Sequence, residues 1–418
     1  MSRKSVRAPA ADPWLHQFAV LTALATLGLI VIGGLVTSHG VGMAVPDWPN
    51  TYGYNMFLFP ISKWVGGIFY EHSHRLMATF VGLLTTALAL WLWARETKGK
   101  YRLLGIGAIL FVFALMGARV FPVYMTLACA APLAIGFSFY KVRQTPGQLR
   151  WLGIVAFAAV ILQGVLGGLR VVWLKDEIGV IHATLAQLFF SLMCATALMT
   201  GKWWQSWRSV DDGHQDNDAA QNQAWLRPRW LLPATTLLLL VQLVLGAAMR
   251  HQHAGLAIPD FPLAYGKVWP AMDSVSVGQY NQQRVEITAW KPITGLQVGL
   301  QMVHRLMALL ICIAIGFCAW SARQLPDRKN PIARLTLFWF GLIVTQAFLG
   351  AVTIWSNKAA DIATAHVLIG AVSLALGIII NMISFRGAVW SPKIAAQNLS
   401  SSSTFSPRPS AAPGYSLQ

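Results

Sequence analysis

Four histidines at regular positions in this chain could bind an iron porphyrin. His74 and His304 each open the sequence His-Arg-Leu-Met-Ala, and His182 and His366 each follow a Gln-x3-Gly pattern across a loop. All four fall at or just inside one end of an apolar segment of helix length, where an imidazole is costly unless it is paired or bound. Two imidazoles that face each other across a helix bundle can ligate a haem iron axially. The pattern therefore predicts one site in each half, on His74 with His182 and on His304 with His366.

These histidines also admit two alternative roles. Any one of them alone could be hydrogen-bonded within a bundle or face the lipid headgroups. A non-haem metal site is disfavoured, because no second carboxylate or histidine accompanies His182, His304 or His366 at ligand spacing.

Glu71 distinguishes the two halves. It lies three residues before His74, on the same helical face and one turn away, whereas the matching residue before His304 is Gln301. One ionisable carboxylate beside one of two haems is what an asymmetric enzyme with a reactive and an electron-carrying site requires. The alternative is an interfacial glutamate that pairs with Arg75 or with solvent.

The other polar residues near these positions receive weaker assignments. Arg75 and Arg305 directly follow histidines and could contact haem propionates or, alternatively, lipid phosphate. Solvated or headgroup-facing roles are expected for the histidines in or beside the outer loops, which are His39, His72, His251 and His253.

The elements that must position these residues come in two copies. Residues 33–49 return as residues 246–262, and the Pro-Asp-aromatic-Pro motif that begins at Pro46 returns at Pro259. Such self-similarity indicates a tandem duplication. Each motif predicts a rigid turn whose aspartate, Asp47 or Asp260, bonds nearby amides, either as a lid over a cofactor or as a purely architectural turn.

Composition places the duplicated unit in a membrane. Of 418 residues, 56% are hydrophobic and 11% are charged, and the mean hydropathy is +0.53. A helix of about 20 apolar residues crosses the bilayer core, and only helices or closed barrels satisfy their backbone there. Since the apolar runs do not alternate as barrel strands do, we predict an all-α integral membrane protein with ten spans. They lie near 17–37, 74–94, 103–119, 122–140, 151–171, 179–200, 230–249, 301–321, 335–354 and 364–385.

Lysine and arginine predict the orientation. Of the 32 such residues, 21 fall in six connecting or terminal segments, which the positive-inside rule assigns to the cytoplasm together with both termini. The net charge of +17 is therefore mostly a topology signal, and no basic cluster alternates with exposed aromatics as nucleic-acid binding requires. The N-terminal segment has no small-residue cleavage site, so we expect an uncleaved first helix in a bacterial cytoplasmic (inner) membrane.

These patterns predict the domain organisation. We expect a cytoplasmic N-terminus over 1–16, a first bundle over 17–200 that includes an extra hairpin over 103–140, a linker over 201–229, a second bundle over 230–385 and a disordered tail over 386–418.

In combination, the two Pro-Asp-aromatic-Pro turns, the Glu71-x-x-His74-Arg75 motif and the histidines at 182, 304 and 366 resemble the haem A synthase family. The resemblance implies eight core helices in two pseudo-symmetric four-helix bundles, and oxidation of the C8 methyl group of haem O to the formyl group of haem A. It implies haem b as a cofactor on His304 and His366, substrate haem O near His74 and His182, and Glu71 as an essential acidic residue.

The resemblance also implies partners and shows two departures. Haem O synthase (protohaem farnesyltransferase) is the expected supplier, cytochrome oxidase assembly the recipient of the product, and the electron partner is unidentified; a homo-oligomer is left open. Val45 and Thr51 stand where many bacterial members have a cysteine pair, and the helices over 103–140 exceed the family's eight. From a different class, the alternative is a diheme b-type electron-transfer cytochrome. A transporter built on repeats is disfavoured because the polar residues collect at the outer end of the spans instead of mid-membrane.

Overall fold

The computed structural model describes residues 12–118, 120–144, 149–209, 230–283, 292–324 and 331–389. Within these residues the chain forms twelve α-helices and no β-strand. The helices are α1 Pro13–Ser38, α2 Gly66–Glu96, α3 Gly99–Met116, α4 Phe121–Gln144, α5 Leu149–Trp173, α6 Asp176–Thr200, α7 Lys202–Ser209, α8 Leu231–His251, α9 Ser274–Gln283, α10 Gly295–Arg323, α11 Pro331–Trp355 and α12 Ala360–Val389.

The ten predicted spans are confirmed, since ten of the described helices are long and apolar enough to cross a membrane. Two of them begin earlier than predicted, α2 at Gly66 and α10 at Gly295. Polar residues at their outer ends hide these turns from a hydropathy profile, although a capping box at Thr294 marks the start of α10. His74 therefore lies about 12 Å along α2 from its first residue, deeper than the sequence indicated.

Parts of the predicted connecting segments are helical. The predicted tail over 386–418 begins with the last turn of α12, which ends at Val389, and this corrects the predicted boundary. The predicted linker over 201–229 begins with α7. The rest of the tail, residues 210–229 of the linker and residues 1–11 lie outside the described residues.

Each half is a closed ring of four helices. In the first ring, α1 packs on α2, α2 on α5, α5 on α6 and α6 on α1; in the second, α8, α10, α11 and α12 pack in the same cyclic order. Apolar side chains fill both rings, with Leu15, Leu88 and Met193 fully buried in the first and Trp339 and Ile380 in the second. The helices at opposite corners are α2 and α6 in one ring and α10 and α12 in the other.

The two rings meet along a symmetric interface. Helix α6 packs on α12, α1 packs on α12, and α6 packs on α8. Since α1 corresponds to α8 and α6 to α12, exchanging the halves reproduces the same three contacts. The rings are thus related by a pseudo-twofold axis, as a parallel duplication requires.

The extra hairpin of α3 and α4 packs outside the first ring. Helix α4 lies along α5, and α3 touches α2, where Gly105 approaches the indole of Trp93. A β-carbon at Gly105 would overlap this ring, so the glycine permits the contact. The hairpin leaves the cyclic order of the first ring unchanged.

Candidate functional site

The predicted histidine pairs occupy opposite corners of the rings. His74 lies on α2 and His182 on α6, whereas His304 lies on α10 and His366 on α12. The members of each pair are near enough to interact electrostatically. Each ring thus brings together two imidazoles from helices that do not pack directly on each other.

A glycine on a neighbouring helix supports each imidazole. The four contacts are His74 on Gly33, His182 on Gly167, His304 on Gly246 and His366 on Gly350. A β-carbon at Gly33 would lie 2.8 Å from Cε1 of His74, closer than van der Waals contact allows, and the other three distances are 3.2–3.3 Å. A larger residue at any of these positions would crowd the histidine ring, so glycine permits the close approach of each imidazole to the neighbouring helix.

Three of the four imidazoles have a buried nitrogen without a protein partner. In the part of the chain that the structure describes, Nδ1 of His74, of His182 and of His304 makes no hydrogen bond. His366 differs, because its Nδ1 lies 3.0 Å from the carbonyl oxygen of Gln346. Leaving such a group unsatisfied costs free energy, so these rings are suited to an external partner.

The donor set suits a porphyrin better than a bare metal ion. Among the described residues, no group of three or more His, Cys, Asp or Glu side chains could hold a metal. A haem brings its own four equatorial ligands and needs only one or two axial imidazoles. Two facing imidazoles per ring match that requirement.

Glu71 ties the N-terminal end of α2 to the loop that precedes this helix. The carboxylate is buried, and its Oε2 accepts a hydrogen bond of 2.8 Å from the backbone amide of Val45 while its Oε1 accepts one of 2.8 Å from Arg75. The matching Gln301 accepts a 2.7 Å bond from the amide of Ile258, the counterpart of Val45. The structure confirms the pairing of Glu71 with Arg75, which was the alternative role that the sequence allowed. Binding of the loop amide is a further role, which Glu71 and Gln301 share.

The two arginines that follow the histidines also hold the outer loops. Arg75 donates to the carbonyl oxygens of Asp47, Asn50 and Val45 at 2.7–2.9 Å. Arg305 donates in the same way to the carbonyl oxygens of Asp260 and Leu263. Contacts from Arg75 and Arg305 to propionates stay a prediction.

The turns behave as the sequence predicted. Asp47 accepts hydrogen bonds from the backbone amides of Tyr52 and Gly53 at 2.7 and 2.8 Å. In the second copy, Asp260 accepts them from Tyr265 and Gly266 at 2.7 and 2.9 Å. Both tyrosines have positive φ, and both tyrosine hydroxyls donate to a backbone carbonyl eight residues earlier. The repeat is thus preserved at the level of individual hydrogen bonds.

The extra hairpin reaches the first of these turns. The indole of Trp48 packs against the ring of Tyr124 of α4 in a tilted arrangement, with ring centroids 4.6 Å apart, and lies over Gly168 of α5. Tyr124 is buried, and its hydroxyl donates to the carbonyl oxygen of Met116. The hairpin therefore helps to place an aromatic side chain beside the first ring, a role that sequence reasoning did not assign to it.

Two histidines expected to face solvent or headgroups are buried, so that expectation is wrong for them. His72 is fully buried between Phe59 and Trp64, and its Nδ1 lies 3.2 Å from the hydroxyl of Thr51. His251 is buried in the interface between the rings. The cause is tertiary, because the first loop folds over the early turns of α2 and the halves close on the end of α8. The expectation holds for His39 and His253, which are exposed.

Comparisons with known proteins place this architecture in a family. The model of the family described as COX15-CtaA, cytochrome oxidase assembly protein, matches residues 112–378. The chain is 24% identical over 360 residues to a haem A synthase of Geobacillus kaustophilus, covering 84% of this chain and 86% of that protein. It is 22% identical to a haem A synthase of Lysinibacillus sphaericus (88% of this chain, 94% of that protein) and 24% identical to one of Hyphomonas neptunium (88% and 92%).

Proposed function

The chain belongs to the COX15-CtaA family of cytochrome oxidase assembly proteins, and on that premise we propose that it is a haem A synthase. The proposed reaction oxidises the C8 methyl group of haem O to the formyl group of haem A. One observation carries the proposal: the two rings hold equivalent imidazole pairs, and among the described residues only the first ring has a buried carboxylate, Glu71, one helical turn from one of its histidines. The names of the relatives support the same function and give no support to the diheme electron carrier.

The second pair fits a resident haem b. His304 and His366 approach from opposite corners of the ring, each on a glycine, and Nδ1 of His304 has no partner among the described residues. A haem held there supplies one-electron transfer. Gln242 fixes the backbone of this site, since its amide donates a 3.0 Å hydrogen bond to the carbonyl oxygen of His304.

The first pair is proposed to orient substrate haem O. His74 and His182 would hold the iron, and Gly33 and Gly167 leave the room that their imidazole rings occupy. Trp48, in the turn after α1, packs against Tyr124 of α4 and over Gly168 of α5 beside this ring. The substrate is thus fixed relative to the outer end of α2, where Glu71 lies.

Glu71 is the proposed catalytic residue. Its carboxylate is held in place by the amide of Val45 and the guanidinium of Arg75. A fixed carboxylate can accept a proton or stabilise the positive charge that develops at the methyl carbon. Gln301 keeps the loop tether in the second ring but offers no such charge, so only the first ring is proposed to react.

The proposed cellular setting follows from the charge distribution and the substrate. We place the protein in the bacterial cytoplasmic membrane with both termini in the cytoplasm, which puts the histidines toward the outer side. Haem O synthase is the proposed supplier, and cytochrome oxidase assembly receives the product. An electron acceptor, which is unidentified, is required because the reaction is an oxidation.

Haem extraction tests this function directly. Membranes that contain this chain together with a haem O synthase are extracted with acidified acetone, and the haems are separated by chromatography. We expect haem A or its alcohol precursor, and only haem O and haem B when the haem O synthase is expressed alone. Unreacted haem O and haem B from protein shown to bind haem contradict the synthase and favour the electron carrier.

A further inference from the structure

Two arginines lie at the outer end of the interface between the rings and bond only to neutral groups. Arg250 of α8 crosses the interface and donates to the carbonyl oxygen of Gly34 and, at 2.7 Å, to the hydroxyl of Ser38, both on α1. Arg170 of α5 donates a 3.3 Å bond to Nδ1 of His251. In the part of the chain that the structure describes, neither guanidinium forms an ion pair with a carboxylate, unlike Arg75 with Glu71 and Arg95 with Asp12.

Each of these arginines lies close to one histidine pair. Arg170 is near enough to His182 to interact electrostatically, and Arg250 is near enough to His366. Asp176 and Glu71 are also within electrostatic range of Arg170, but neither makes a hydrogen bond to it. Glu71 in particular is already engaged by Val45 and Arg75.

Close packing holds these cations inside the interface. A β-carbon at Gly179 of α6 would lie 2.6 Å from Nε of Arg170 and 2.6 Å from Cε1 of His251. A β-carbon at Gly34 would lie 2.7 Å from Thr364 of α12. The glycines thus allow the helices to close around groups whose charge is expensive to bury without a counterion.

A bound haem would supply the missing negative charge. Its two propionates are the only carboxylates it carries, and guanidinium groups bind carboxylates well. Arg75 and Arg305, which directly follow the ligand histidines, already donate to loop carbonyls. Arg170 and Arg250 are the remaining guanidiniums beside the two pairs.

We propose that Arg170 and Arg250 bind the propionate carboxylates of the haems held by the first and the second histidine pair, respectively. His251 positions Arg170 by accepting its hydrogen bond. The inference rests on the proposed haem binding, and it concerns recognition of the haem carboxylates, not the oxidation of its methyl group.

Blocked propionates provide the test. The full chain, purified in detergent, is titrated with protohaem and with protohaem dimethyl ester, and binding is followed by absorbance. A His74→Ala background isolates the second pair and a His304→Ala background the first. In the His74→Ala background we compare Arg250 with R250Q and R250K. In the His304→Ala background we compare Arg170 with R170Q and R170K.

We expect each background to bind the diacid more tightly than the ester. The glutamine variants should weaken diacid binding about tenfold or more, as expected for loss of a hydrogen bond between charged groups, and leave ester binding unchanged. The lysine variants should keep most of the preference for the diacid. Arg323→Gln, at the inner end of α10, controls for a general loss of positive charge.

Three results would overturn the inference in distinguishable ways. If the glutamine variants lose the same affinity for the diacid and for the ester, the arginines have a packing role. If the backgrounds that keep both arginines bind the diacid and the ester with equal affinity, the arginines do not bind the propionates. If neither background nor the unmodified chain binds haem at all, the proposed function fails together with this inference.

Discussion

Replacing Glu71 with glutamine separates its proposed catalytic role from its structural one. The second ring already contains the result of such an exchange, since Gln301 accepts a 2.7 Å hydrogen bond from the amide of Ile258 just as Glu71 does from Val45. An amide oxygen at position 71 therefore preserves the loop tether. What Glu71→Gln removes is the charge and the ion pair with Arg75.

The structural cost of this change is limited. Removing one partner of a buried ion pair costs about 3–5 kcal/mol when the other charge is left alone. Arg75 keeps three hydrogen bonds to loop carbonyls, so we expect a loss nearer to that of one charge-assisted bond, about 1.5–3 kcal/mol. Loss of a general acid or base instead slows a reaction about 100- to 10,000-fold. Haem A formation should therefore collapse while the fold and the second haem persist.

The assay measures the ratio of haem A to haem O in membranes that contain a haem O synthase, normalised to the amount of this chain. The bis-histidine absorbance of the second haem reports whether the variant is folded. Gln301→Glu is the matched control, because it places a carboxylate four residues before Arg305 in the second ring, as Glu71 precedes Arg75 in the first. If only the first ring reacts, haem A formation should change by no more than about twofold in this variant.

Normal haem A output from Glu71→Gln would refute the catalytic assignment and leave Glu71 as a loop tether. Loss of both haems in the same variant would point to a structural defect instead, and would contradict the limited cost expected from the remaining hydrogen bonds of Arg75.

Two further changes probe the surroundings of the first pair. Gly33→Ala places a β-carbon 2.8 Å from Cε1 of His74, so haem occupancy of the first site, measured as the haem-to-protein ratio, should fall severalfold. Gly82→Ala is the control, because a β-carbon there meets open space and occupancy should not change. Equal occupancy in the two variants would contradict the packing argument. Tyr124→Ala removes the ring against which Trp48 packs, and haem A yield should fall while the second haem keeps its absorbance. An unchanged yield would show that the hairpin does not support the first site.

Local patterns were sufficient to predict the spans and the separate helices that carry the four histidines. The duplicated motifs and the apolar runs are properties of short segments. They predicted ten helices, and they predicted that the two histidines of each pair lie on different helices. The Asp47 turn was predictable for the same reason, since both its hydrogen bonds lie within six residues.

Roles that depend on distant parts of the chain were not predictable. Arg75 binds carbonyls that lie 25 to 30 residues away, and Arg250 bonds to a residue 216 positions earlier. His72 was expected to be solvated or to face headgroups because it lies beside a predicted loop, yet the hydroxyl that contacts its ring belongs to Thr51, 21 residues earlier. One signal was available: Gln301 at the position of Glu71 indicated a shared polar role in both halves.

The symmetric interface bears on how an asymmetric protein of this kind can arise. Contacts that reproduce themselves when the halves are exchanged are those that two identical four-helix subunits form around a twofold axis. In such a homodimer every substitution appears twice, so a carboxylate at one site must also appear at the other. Joining the subunits in one chain removes that constraint. The first copy can then have Glu71 where the second has Gln301, and the second can have Arg250 where the first has Thr37. Division of labour between the two sites thus becomes available to selection only once the two copies are covalently linked.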